Sequence, residues 1–184
     1  ARKLEKQTDK DRRVENDLRR TLLVYLEEEP FGPLAAEMEQ NLGELYERLG
    51  SPEYALLHYG RAVFVQPVGR QAFLSRRAAL ELLNNRHDLW GADWDTLHQL
   101  FVSRRLSIEG SQEGSQADRY RVFVERLQSL TSPELAAVAL QEARRFLRLF
   151  PDDPANDRIL YGVGLDFLEV GRKDHAAAAF GSLA

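Results

Sequence analysis

Cysteine is absent from this 184-residue chain. Disulfides, thiolate metal sites and a cysteine nucleophile are thereby excluded. No run of apolar residues is long enough to span a bilayer, and the opening residues do not follow a signal-peptide pattern. An excess of positive charge is missing as well. The net charge of −4 gives no general attraction to nucleic acid or to an anionic membrane. The histidines His58, His87, His98 and His175 show no HExxH or comparable ligand spacing. No serine stands beside a histidine and a carboxylate in a nucleophile motif. The glycines of Ile108 to Ala117, IEGSQEGSQA, follow no strand and fit no phosphate loop. No cofactor, metal ion or catalytic residue is expected, and the chain does not read as an enzyme.

What is present is helical periodicity. The apolar fraction of 43% supplies a continuous core, and the charged fraction of 29% suits a helical protein in water. The central stretch is Ala36 to Pro67. Leu42, Leu45, Tyr46 and Leu49 share one face at i, i+3, i+4 and i+7, which predicts a helix. Ala55, Leu56, Tyr59, Ala62 and Val63 form a similar stripe on a second helix. Gly50-Ser51-Pro52 joins the two, and Pro67 ends the unit because proline cannot continue the hydrogen-bond ladder. Gly43 and Ala55 are small where the helices should cross, so the backbones can approach closely.

The rest of the chain reads the same way. Residues 1 to 20 mix eight basic residues with five acidic ones. From there Val14, Leu18, Leu22, Tyr25 and Leu26 predict a helix to about Glu29, broken at Pro30-Phe31-Gly32-Pro33. Arg70 to Asn85 is helical, with Phe73, Leu74, Ala78, Leu80 and Leu83 expected inside. Asp93 is the expected N-cap of a helix through Leu106, with Leu97, Leu100, Phe101 and Leu106 inward and Trp90 and Trp94 as packing anchors. Ile108 to Ala117 is expected to be a mobile loop. Asp118 to Leu130 is helical again. Ser132 and Pro133 open a further helix to about Phe150, stopped by Pro151-Asp152-Asp153-Pro154.

The spacing resembles the tetratricopeptide repeat (TPR) family, a helical-hairpin repeat with a period of about 34 residues. Counting from Ala36, Leu42, Gly43 and Tyr46 fall on the family's Leu-Gly-Tyr positions. Gly50 falls at the turn, and Ala55, Tyr59, Ala62 and Pro67 fall on positions of the second helix. Glu39 replaces the usual Trp. Counting from Asp157, Val163, Gly164, Phe167, Gly171, Ala176 and Phe180 match, with Leu160 in place of the Trp. A copy at 120–153 matches at Ala139 and Pro151, but Leu127 stands where the family has a small residue and Ala143 where it has an aromatic. The segment 70–118 is a degenerate middle, with Arg77 at a small-residue position. The resemblance implies an all-α solenoid of about nine helices, with a charged helix and linker over 1–33 and repeats over 34–184.

It also implies a role. The family's groove is lined by the first helices of its repeats. Carried over by position, the partner-binding residues are Glu37, Gln40, Glu44 and Glu47 in the first copy, Arg121 and Val124 in the third, and Arg158, Tyr161 and Leu165 in the last. The expected partner is a protein or peptide held in a groove running from acidic to basic. A scaffold of this kind looks like the cytoplasmic domains of membrane-anchored bacterial complexes in exopolysaccharide synthesis, secretion or pilus assembly. Were an apolar span to precede Ala1, Arg2, Lys3, Lys6, Lys10, Arg12 and Arg13 would favour a cytoplasmic side. The periplasm is equally compatible with a chain free of cysteine. The final helix is short and has no polar cap after it, so either further residues follow or this end packs on something, self-association through the C-terminal end being one expectation. The alternatives are a soluble peptide-binding adaptor or co-chaperone, and a nucleic-acid-binding helical repeat. The last has no basic run interleaved with aromatics to support it. Five arginine doublets, among them Arg144-Arg145, could form an anion site if successive helices bring them together.

Overall fold

The structure, a computed structural model, describes residues 2–102 and 115–183. It is all-α among these residues, with nine helices of nine residues or more, one single-turn helix and one 3-10 turn. Packing divides the chain into two units, Ala1–Ser75 and Arg76–Ala184, the division falling inside helix α4 (Arg70–Asn85).

The first unit holds α1 (Arg2–Glu28), α2 (Ala35–Arg48) and α3 (Pro52–Val65). Leu22 and Leu26 of α1 are buried in one cluster with Ala35 and Leu42 of α2. Earlier on the same stripe, Val14 and Leu18 are 60% and 44% exposed, so only the C-terminal half of the expected face is covered. In α2, Leu42 and Leu45 are fully buried, whereas Leu49, the residue just past the helix end, is 39% exposed. The expected α3 stripe is too narrow. Every residue from Ala55 to Phe64 is buried, as in a helix covered on all sides. Phe73, expected inside, is 66% exposed on α4.

The second unit contains α5 (His87–Trp90), the 3-10 turn Gly91–Asp93, α6 (Trp94–Val102), α7 (Gln116–Gln128), α8 (Pro133–Leu149), α9 (Asn156–Glu169) and α10 (Lys173–Gly181). The expected continuation of α6 to Leu106 and the loop over 108–114 lie outside the described residues. Gln116 and Ala117, expected in that loop, instead open α7. Ser115 and Asp118 cap its start reciprocally, side chain to backbone, at 3.1 and 3.0 Å. Ser132 caps α8 as its sequence context predicts, accepting from the Leu135 amide at 3.3 Å. Asp93 does something else than cap the helix that follows it. Its buried carboxylate accepts from the Thr131 amide (2.8 Å), the Thr131 hydroxyl (2.9 Å) and the Ser132 amide (2.8 Å). It ties the turn before α6 to the entry of α8. Trp90 is buried, while the indole of Trp94 stacks on His98 at 4.6 Å between ring centroids and meets the tilted His87 ring at 5.0 Å.

The hairpins α2–α3 and α9–α10 are built alike. A Cβ on Gly43 would sit 2.4 Å from the Tyr59 ring, and one on Gly164 would sit 2.3 Å from the Phe180 ring. Sixteen residues separate glycine from ring in both. Each first helix ends on a glycine at φ +76°, Gly50 or Gly171. Each carries the same pair of closing bonds. Ser51 donates to the Tyr46 carbonyl at 2.9 Å and Gly50 to Glu47 at 3.1 Å; Arg172 donates to Phe167 at 2.8 Å and Gly171 to Leu168 at 3.0 Å. In α7–α8 the corresponding positions are Leu127 and Ala143, both buried, so large and small have changed places.

Trp90 and Trp94 both lie in the second unit, so tryptophan fluorescence reads that unit. In urea unfolding followed this way, Gly164→Ala should cost about 1–3 kcal/mol through overpacking against Phe180. Gly164→Leu combined with Phe180→Ala copies the Leu127/Ala143 arrangement and should recover most of that loss. An unchanged midpoint for Gly164→Ala would remove the ring-on-glycine contact as the basis of the hairpin.

Candidate functional site

The residues expected to bind a partner stand in two groups, one in each unit. Glu37 and Glu44 are exposed on α2, with Gln40 donating to Glu44 at 3.1 Å. Glu47 is also exposed but has a structural bond: it accepts from the Tyr59 hydroxyl at 2.9 Å. Burial and this carboxylate together raise the Tyr59 phenol above its ordinary range. In the second unit, Arg121 pairs with Asp118 at 2.7 Å and Asp153 at 3.5 Å. Arg158 pairs with Glu125 of α7. Tyr161 and Leu165 are 53% and 43% exposed, the Tyr161 ring lying 5.5 Å from Phe180. Val124 must be removed from the set. It is fully buried in α7, because that part of the helix face is covered within the unit. The expected basic end is therefore largely neutralised in place.

A buried charged cluster was not legible as such. Glu39, in the position of the family's Trp, is fully buried, with its carboxylate 2.6 Å from His58 Nδ1 and 3.8 Å from Arg61. The His58 ring stacks on Tyr46 at 5.1 Å, and Tyr46 stacks on Tyr54 at 5.3 Å. The signal lay in His58 and Arg61 at i, i+3 on α3, opposite an acid where an aromatic belonged. This cluster lies inside the α2–α3 packing, so its role is to fix that hairpin. Glu39→Ala removes the carboxylate shared by two buried bases. It should destabilise the first unit by about 3–5 kcal/mol, read as a lowered urea midpoint by circular dichroism.

The second unit has an open groove of 890 Å³ between α8 and α10, floored by α9. Its apolar lining includes Leu140 and Leu147 of α8 and Leu160, Val163 and Phe167 of α9. The α10 wall is shallow, made by Ala178, Ala179 and Ser182. Arg144 and Arg148, one turn apart on α8, face Arg172 and His175 across it. Among the described residues, no acidic one lines the groove. The Arg172 guanidinium lies 5.9 Å from the Phe167 ring centroid, and its Nη2 is 3.0 Å from His175 Nε2. Such an arrangement can hold carboxylates along a rim and apolar side chains on a floor.

Beside the groove-lining Phe167, α9 also carries the buried acid Asp166. Gly162 leaves room for the Gln128 amide, which donates to the Ile159 carbonyl at 3.2 Å and reaches Asp166 Oδ2 at 3.4 Å. Burial pushes the Asp166 carboxyl up to about 7, with Glu169 adding to the rise and the Gln128 bond opposing it. The folded state thus holds a proton that the unfolded chain releases near the ordinary value of 3.8. Its contribution to stability is full below that value and is lost as pH rises through about 7. Asp166→Asn should therefore raise the urea midpoint of the second unit at about pH 8, with a smaller gain at about pH 5. An equal gain at both would show that Asp166 stays ionised in the fold.

Comparison with protein-family models, with curated proteins and with solved structures finds no match to the chain.

Proposed function

We propose that this chain is a helical-hairpin repeat scaffold of the TPR type, which acts by holding a protein or peptide partner. The observation that carries this reading is the shared construction of α2–α3 and α9–α10. The same small-on-ring crossing and the same glycine-closed turn occur at the same spacing in two separate units. Repetition of one packing solution is how stacked helical pairs generate extended binding surfaces. The solenoid arrangement of all the hairpins is part of the proposal. Exposed Glu37 and Glu44 in one copy, and Tyr161 and Leu165 in the other, occupy the first-helix positions that such scaffolds present to partners. No helix among the described residues is long and apolar enough to cross a membrane.

A photo-crosslinking amino acid placed at Glu37, Glu44 and Leu165 of the full chain tests this in the cell of origin. The same protein should be captured from several of these positions, and not from the exposed controls Glu81 and Asp95. Capture of nothing above the controls would refute a scaffold role.

A further inference from the structure

We propose that the groove between α8 and α10 is a docking site for an acidic, amphipathic segment of a partner protein. This rests on the reading of the chain as a binding scaffold but concerns a different face from the first-helix positions. The argument begins with charge. The whole chain carries −4, yet the groove collects three arginines and a histidine with no acid among its lining residues. The other arginines at expected binding positions, Arg121 and Arg158, are held by Asp118, Asp153 and Glu125. Arg144, Arg148 and Arg172 form no ion pair with a carboxylate among the described residues. They are cationic groups set over an apolar floor and left for an outside anion.

Geometry narrows the anion. Arg144 and Arg148 stand one turn apart on a regular helix, which matches carboxylates one turn apart on a second helix. Arg172 is held in place by the Phe167 face below and His175 beside it, so little of its freedom is lost on binding. The floor is aliphatic and aromatic, from Leu140 to Phe167, and asks for leucine or phenylalanine between the carboxylates. A sugar phosphate or inorganic anion would leave that floor uncovered. The mode is an amphipathic helix laid in a groove, with apolar anchors down and acids against the rim.

The test uses the full chain and a fluorescein-labelled model peptide with Glu at i and i+4 flanking Leu and Phe anchors, read by anisotropy. Binding should weaken with added salt. Arg144→Glu with Arg148→Glu should weaken it by about tenfold or more. Ala178→Trp, which fills the groove without changing charge, should do the same, and it serves if the double variant fails to fold. Arg126→Glu, at an exposed arginine of α7 outside the groove lining, should leave the affinity unchanged. A peptide with Lys for Glu and the same anchors should not bind. Absence of binding to the acidic peptide overturns the groove assignment, as does binding unaffected by Ala178→Trp. Neither result touches the crosslinking outcome, which tests the scaffold role at other positions. Displacement of the peptide by single-stranded RNA or by phosphatidylserine vesicles would also overturn it, because the rim would then serve phosphate.

Discussion

The structure depends on how closely two helices can approach at one crossing. In α2–α3 and α9–α10 an aromatic ring lies against a glycine, closer than any side chain at that position would allow. Helix pairs normally stand about 8–10 Å apart according to the side chains between them. Removing the Cβ from one partner lets a large ring from the other fill the contact, so the pair gains area without an intervening layer. The closing turn is then constrained as well, since a chain that must reverse over such a short gap ends its first helix on a glycine at positive φ. At the corresponding positions of the α7–α8 pair the large residue, Leu127, is on the first helix and the small one, Ala143, on the second, both buried. What recurs is the complementarity of sizes, not the identity of the residues.

This explains which parts of the fold were legible in the sequence. Gly43, Gly50, Gly164 and Gly171 could be read because their backbone and packing demands accept almost no other residue. Helix ends at Ser132-Pro133 could be read for a similar reason. The errors share another cause. Periodicity says which residues lie on one face but not what covers that face. Val14, Leu18 and Phe73 obey the period and are exposed. Val124 has the position of a groove residue and is fully buried. Asp93 stands where an N-cap belongs, yet its carboxylate serves a strand of chain 38 residues further on. Each of these depends on a long-range partner, which no local window contains.

The charged residues divide along the same line. At Glu39 an acid replaces a bulky aromatic in the core, and it is tolerated because His58 and Arg61 from α3 meet it there. At Asp166 burial instead pushes the carboxyl up to about 7. The buried acids are thus handled differently, by pairing with bases at Glu39, by backbone and hydroxyl donors at Asp93, and by a raised carboxyl at Asp166. The first-helix arginines are balanced by nearby acids. The α8–α10 face, by contrast, sets Arg144, Arg148 and Arg172, with no carboxylate paired to them among the described residues, beside an apolar surface.

The arginine doublets were a poor guide to that face, and the reason is geometric. Adjacent residues on a helix point about 100° apart, so in Arg144-Arg145 only Arg144 reaches the groove, while Arg145 is half-buried elsewhere. The cluster is made by the i, i+4 pair of α8 and by Arg172, which enters through the turn after Gly171. Its openness traces back to the helix crossing. With Phe180 drawn onto Gly164, α10 meets the groove with Ala178, Ala179 and Ser182, residues too small to fill it. A ring pulled inward at the crossing and an alanine wall beside it are two consequences of one packing choice. The same contact that closes the last hairpin holds the groove open.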